Sequence, residues 1–372
     1  MWAMTSPKSL SNNKNTMRII FLFTLISFST LAQKTENVIL ITLDGLRWQE
    51  VFTGADEVIL NDKNYTESIE KTTDKFWDEE SNVRREMLMP FLWSKVKHKG
   101  VIAGNRSKGS QIDIKNSYAF SYPGYNEILT GYPDEAVDSN DKINNKNVTV
   151  LEYLNKLPKY QNRVAAFCTW NVFPYIINQE RSGVYVNSAD NLADVTGTDK
   201  EAWLNELEES VPSLASNRFD FVTFYRALDY LETKKPKMLY IAFDETDEFA
   251  HEAKYREYLY AANSIDGYIK KVWDFCQSDP QYKDKTTLII TSDHGRGDAD
   301  KSQWTSHGKK VPDGGSIWLA AIGPDTPASG EIDFKQQNHQ NQIAASIAAL
   351  LGENYQNGHE IGKPIDWLMR KK

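Results

Sequence analysis

Apolar residues fall into two alternating patterns along this chain. Short, unbroken apolar runs occupy 37–43, 100–104, 163–169, 237–243, 286–291 and 316–322, bounded by charged or turn-forming residues. Runs of that length without polar alternation read as strands buried on both faces. Between them, apolar residues recur every three or four positions in 148–157, 201–209, 218–233, 253–277 and 338–351, which predicts helices. In 253–277 one face carries Tyr258, Ala261, Ala262, Ile265, Tyr268, Ile269 and Val272, so its aromatics are expected in the core. This alternation predicts an α/β fold, a single large α/β/α sandwich around a mostly parallel central sheet. Residues 53–85 are charged and weakly periodic, and are expected to run over the sheet edge or the mouth of a site. The Asn- and Asp-rich 134–147 stretch predicts a loop. No repeat or composition shift marks a second domain. The expected division is an N-terminal extension, 1–32, and one domain, 33–372.

Chemistry collects where the apolar runs stop. Asp44 follows the first run, Asp247 follows the fourth and precedes His251 by four residues, and Asp293-His294 follows the fifth. His307 comes thirteen residues after His294. In open α/β sheets ligands gather beyond the carboxyl ends of the strands, so these residues are expected to converge. Hard oxygen and imidazole donors point to a two-metal hydrolytic centre. The chain has only two cysteines, Cys168 and Cys276, and either a disulfide or two buried thiols fits them. A net charge of −8 argues against binding of a nucleic-acid duplex. It leaves room for a small phosphorylated substrate whose charge metals meet locally.

The segment from Met17 reads as a secretory signal. Arg18 supplies the positive region, Ile19 to Leu31 is apolar apart from Ser and Thr, and Thr30-Leu31-Ala32 offers small residues at the cleavage point. Met17 is the expected start and Gln33 the mature N-terminus. The protein is then periplasmic or secreted, with no stable membrane span after signal removal; a retained anchor is the alternative.

A nucleophile is expected at Ser121, in Phe120-Ser121-Tyr122-Pro123-Gly124-Tyr125. Pro123 suits a first helical turn, Tyr125, Ile128 and Leu129 continue the helix, and Gly131 stops it. A serine just before such a helix lies near its positive end and free N–H groups. An ordinary N-cap serine is the competing reading.

Taken together, Asp44-Gly45-Leu46-Arg47, Ser121-Tyr122-Pro123-Gly124, Asp247-Glu248-Phe249-Ala250-His251, Ser292-Asp293-His294-Gly295 and Ser306-His307-Gly308 resemble, in order, the motifs of the alkaline phosphatase superfamily. The nucleotide pyrophosphatase/phosphodiesterase-like members are the most similar, over 37 to about 352. The resemblance implies an alkaline phosphatase-like fold and two Zn²⁺ ions, with Mn²⁺ or Fe chemically acceptable. It implies one metal on Asp44, Ser121, Asp293 and His294, and the other on Asp247, His251 and His307. Ser121 would attack phosphorus in line, giving a phosphoseryl intermediate that is then hydrolysed.

Departures from the family pattern bear on substrate. The diesterases usually carry threonine at the nucleophile and asparagine three residues on, where this chain has Ser121 and Gly124. Serine is more typical of phosphomonoesterases, so monoesters are slightly favoured over diesters. Phosphodiesterase/nucleotide pyrophosphatase activity, or phosphonate or sulfate ester hydrolysis, is the alternative; the sulfatase signature with its arginine is missing. A catalytically idle binding protein on this scaffold is the remote alternative, since every ligand position is filled. Asn140 is a candidate to assist a phosphoryl oxygen, and Arg181, after an aromatic segment, a candidate fork for phosphate. Arg47 is expected to pair with a carboxylate, Asp244 competes with Asp247 as a ligand, and His339 is expected to cap or begin the last helix.

Overall fold

The computed structural model describes residues 1–6, 33–189, 191–211 and 216–370. The signal-peptide reading falls on 17–32, outside the described residues. Residues 33 onward form one compact unit around β1 (Asn37–Leu43), β2 (Val101–Ala103), β3 (Ser110–Asp113), β4 (Val164–Cys168), β5 (Tyr185–Asn187) and β6 (Met238–Phe243). The remaining strands are β7 (Thr286–Thr291), β8 (Ser316–Ile317), β9 (Leu319–Ile322), β10 (Gly330–Glu331) and β11 (Gln336–His339). Eight of them form one sheet in the order β10-β2-β9-β7-β1-β6-β4-β5, and β11-β3-β8 form a small second sheet. The large sheet is parallel except at β9, which runs against both β2 and β7. The expected α/β class with a mostly parallel central sheet is what the chain adopts.

The unbroken apolar runs are explained by burial on both faces. Along β1, Ile39, Ile41 and Leu43 enter one core while Val38 and Leu40 enter the other. β6 divides likewise, Leu239, Ile241 and Phe243 against Met238, Tyr240 and Ala242. The Asp220–Thr233 and Tyr255–Ser278 helices cover the first face, and the Ser121–Thr130, Val150–Lys156 and Ile343–Leu350 helices the second. Each large apolar side chain so enclosed contributes about 1.5–3 kcal/mol. Cys276 lies in the first core and Cys168 in the second, and both are free thiols.

The structure corrects three boundaries. The 316–322 run is two strands: β8 pairs with β3 in the small sheet, and the chain passes through Trp318 into β9 of the large one. Every residue there is apolar or small, so periodicity marks no break. The helix expected from 338 begins at Ile343; β11 and a 3-10 turn, Gln340–Gln342, precede it. His339 caps that turn, its N–H donating to the Gln342 side chain at 2.8 Å. The 53–85 region holds helices Glu57–Leu60, Ile69–Phe76 and Ser81–Leu88, which send Ile59, Leu60, Phe76 and Leu88 into the first core. They are too short to show a clear helical period.

Register places the chemistry. β1 and β6 pair from Val38↔Met238 to Leu43↔Phe243, and β1 and β7 from Asn37↔Thr286 to Thr42↔Thr291. Three carboxyl ends therefore lie side by side in the middle of the sheet.

Candidate metal centre

Asp44 follows β1 directly. Asp293 and His294 stand two and three residues past β7. Asp247 and His251 lie on the Glu245–His251 helix just after β6, one turn apart and so on the same face. Their ligand atoms form two overlapping clusters, Asp44/Asp293/His294 and Asp247/His294/His307, within each of which the atoms lie less than 4.8 Å apart. His294 Nε2 is 3.2 Å from Asp44 Oδ1, 3.5 Å from Asp293 Oδ2 and 3.7 Å from Asp247 Oδ1. His251 joins the second cluster, its Nε2 3.1 Å from Asp247 Oδ2 and 2.9 Å from His307 Nε2. The His294 and His307 rings stack with centroids 4.0 Å apart.

These atoms fit metal ions. Asp44 Oδ1, Asp293 Oδ2 and His294 Nε2 are buried and make no hydrogen bond, close as they are. Buried polar atoms left unmatched are costly, and three converging ones fit a cation. Contacts further out fix how these side chains point. His294 Nδ1 lies 3.0 Å from the Gly295 carbonyl and His307 Nδ1 3.0 Å from the Ala119 carbonyl, so each Nδ1–H donates outward and leaves Nε2 facing the centre. Asp44 Oδ2 accepts from Tyr125 Oη–H at 2.7 Å, and Asp293 Oδ1 from the Gly45 N–H at 3.1 Å. Burial and the Asp44 charge hold the Asp293 carboxyl well above its usual range. Burial pushes the His294 imidazole down, but Asp293, Asp44 and Asp247 outweigh it and raise it to about 9. His307 is pushed down to about 2 by burial and by the charge of His294.

The Ser121–Thr130 helix packs its first turn onto this cluster. A Cβ at Gly124 would stand 2.6 Å from the Asp293 carbonyl oxygen, so only glycine allows the approach. The N-cap is Phe120, and Ser121 is the first helical residue. Its hydroxyl makes no hydrogen bond among the described residues, unlike an N-cap serine, which would use it to bind the helix N–H groups. Asn140 reaches the same end: its Oδ1 accepts from the Tyr122 N–H at 3.0 Å.

Arg181 is not brought to the centre. Its Nε and Nη2 bind the buried Glu152 carboxylate, Nη1 the carbonyls of Asn145 and Lys146, and Nη2 also that of Asn147. All five N–H donors are thereby used, which corrects the expectation of a phosphate fork. Arg47 pairs with Glu50 as expected and also binds the Gly297 carbonyl. Asp244 accepts from Asn217 Nδ2 at 2.7 Å and belongs to neither cluster. The 134–147 and 170–183 segments do meet. They line a cleft of about 730 Å³ with Lys142, Asn144, Tyr175, Gln179, Tyr185 and Asn187 on its walls. Tyr122, next to Ser121, donates its hydroxyl to the carbonyls of Ile143 and Tyr175.

Two participants were missed in the sequence. Arg296, fully buried, binds the carboxylate and the carbonyl of Asp247. Although burial pushes Asp247 up, Arg296 and the imidazoles hold it well below the usual carboxylate range. An arginine two residues past the Asp293-His294 pair, between glycines, was the available signal. Tyr125 looked like a core aromatic by its spacing, and only its hydroxyl contact with Asp44 says otherwise.

Comparison with known proteins agrees with this architecture. No curated protein matches the chain. Among solved structures it is similar to the lipoteichoic acid synthase LtaP from Listeria monocytogenes, at 13% identity and TM-score 0.58, over 91% of this chain and 76% of that one. It is similar to the alkaline phosphatase PafA at 10% identity and TM-score 0.58, over 91% and 99% of the two chains. A putative sulfatase from Bacteroides thetaiotaomicron matches at 12% identity and TM-score 0.57, over 89% and 74%. Identities this low carry the fold alone, an α/β fold like that of the alkaline phosphatase PafA. A family model, that of the type I phosphodiesterase / nucleotide pyrophosphatase family, matches residues 54–361. That span covers most of the chain, which therefore belongs to the type I phosphodiesterase / nucleotide pyrophosphatase family.

Proposed function

We propose that this protein hydrolyses phosphoric esters through a covalent phosphoseryl intermediate on Ser121. The observation that carries the reading is the set of buried, hydrogen-bond-free ligand atoms of Asp44, Asp293 and His294 packed against the Ser121 helix. Asp44, Ser121, Asp293 and His294 would hold one ion, and Asp247, His251 and His307 the other; zinc suits this mixed donor set, with manganese or iron acceptable. Ions there would supply Lewis-acid charge to the phosphoryl oxygens and to the serine hydroxyl.

The chain's own residues do the rest. Ser121 Oγ attacks phosphorus in line, the P–O bond to the alcohol breaks, and water then cleaves the phosphoseryl ester to restore the hydroxyl. Ser121 lies at the N-terminus of a ten-residue helix, whose positive end favours the alkoxide and the phosphoryl oxygens. Asn140, whose Oδ1 accepts from the Tyr122 N–H, would steady one such oxygen through its Nδ2. The ester's other substituent would lie toward the cleft lined by Tyr175, whose carbonyl accepts from the Tyr122 hydroxyl.

Serine at position 121 favours monoesters. Diesters are the second reading, supported by the family match and by the commitment of Arg181 and Arg47 to internal carboxylates. Neither of these two guanidinium groups is then free to meet the extra charge of a monoester. Export is proposed on the Met17–Ala32 signal pattern; among the described residues no helix is long and apolar enough to cross a membrane.

Turnover of an aryl phosphate and its matched alkyl aryl diester, by parent and Ser121→Ala, tests the reading. Ser121→Ala is expected to lose at least about 10³-fold in kcat with the fold intact. Activity within a few-fold of the parent would sink the covalent route.

A further inference from the structure

The loop leading into Ser121 is held in a conformation it would not choose. Ala119 has φ +52°, in the left-handed region, which costs a residue with a Cβ about 1–2 kcal/mol. Such a residue persists only where its surroundings over-determine it. Glu127, fully buried on the nucleophile helix, supplies that constraint. Its carboxylate accepts from the Lys115 N–H at 2.8 and 3.0 Å, the Asn116 N–H at 2.8 Å and Asn116 Nδ2 at 2.9 Å. Asn116 Oδ1 in turn accepts from the N–H groups of Tyr118 at 3.1 Å and Ala119 at 3.0 Å. The Ala119 carbonyl then accepts from His307 Nδ1. Two residues further on stands Ser121.

We propose that Glu127, acting through Asn116, is a positioning residue that fixes Ser121 and His307 as one unit. The inference rests on the reading of Ser121 as nucleophile and His307 as ligand. A buried carboxylate is costly, and an apolar residue in its place would avoid the desolvation. Here its bonds to this loop impose the left-handed turn, and that turn delivers both the start of the nucleophile helix and the carbonyl that sets the His307 tautomer. A single clasp therefore prevents the nucleophile and the second cluster from drifting apart.

Glu127→Gln tests the proposal, because it turns one acceptor into an amide NH₂ facing N–H donors. The folded variant is expected to lose about 10- to 100-fold in kcat with KM within about threefold, as small misplacements of reacting groups do. Nitrogen NMR of the metal-free protein should show His307 losing its single Nδ1–H tautomer while the His294 ring signals stay unchanged. Adding Ala119→Gly, which removes the left-handed penalty, should restore most of the activity and the tautomer. Parental kcat with an unchanged His307 tautomer, or a loss of stability alone, overturns the proposal. If Glu127→Gln does not fold, Asn116→Ala, which keeps the Lys115 contact, is read by the same criteria. The tautomer reports on the clasp even if Ser121→Ala proves active, so failure here and failure of the nucleophile reading are distinguishable.

Discussion

His294 is the residue on which both clusters depend. With its carboxylate neighbours it lies at about 9 in the metal-free protein, so at neutral pH the imidazole carries a proton. Coordination needs the neutral ring, and that proton must leave when metal enters. Titrating zinc into the metal-free protein at pH 7.5, in buffers of different ionisation enthalpy, is expected to show release of about one proton from this group. The release should fade as pH rises above 9, where the ring is already neutral, and its absence at pH 7.5 would remove His294 from the shared position. Arg181 gives a second prediction at this scale. Arg181→Ala leaves the buried Glu152 carboxylate with Lys156 alone, and should cost roughly 1.5–3 kcal/mol of stability. Denaturant unfolding measures that cost; the ratio of monoester to diester turnover should not move. A selective change in that ratio would return Arg181 to the substrate.

Among the elements, the Ser121–Thr130 helix has little freedom. Every one of its residues is buried, and its first turn meets the Asp293 backbone. Gly124→Ala would place a methyl 2.6 Å from a carbonyl oxygen that cannot retreat. Overpacking of this kind costs about 1–3 kcal/mol, and activity should fall with stability because the helix and the Asp293 loop move together. An alanine variant with unchanged melting temperature and turnover would show that the contact is slack. This helix was largely legible in the sequence, since Pro123, the apolar spacing and Gly131 mark its start, face and stop. The Glu245–His251 helix was not: at seven residues it shows no period, although it carries two site residues.

For the whole molecule, the centre joins β1, β6 and β7 at their carboxyl ends, so occupying it should stabilise the entire sheet. Chelation is expected to abolish activity and lower the melting temperature, and zinc to restore both, because a ligand that binds only the folded state stabilises it. His251→Ala and His307→Ala should lower the metal content by about one ion, as should Asp293→Ala, each by disabling one cluster. Full activity in metal-free protein would overturn the two-metal reading. What the sequence determined was the part of the site set by local pattern. Asp44, Asp247 and Asp293-His294 stand just past apolar runs, and a parallel sheet brings such ends together. The sequence likewise marked both faces of the sheet as buried, because continuous apolar runs suit no half-exposed strand. Tertiary structure alone decided the partners of each charge. Arg181 and Arg296 are both arginines in polar segments, yet one is consumed by Glu152 and three carbonyls while the other sits on Asp247. The short polar strand β11 and the split between β8 and β9 likewise emerged only from pairing, since hydrogen bonds between distant backbone segments leave no period in either sequence. Long-range contacts assign a charge to its neighbour, and no local spacing encodes them.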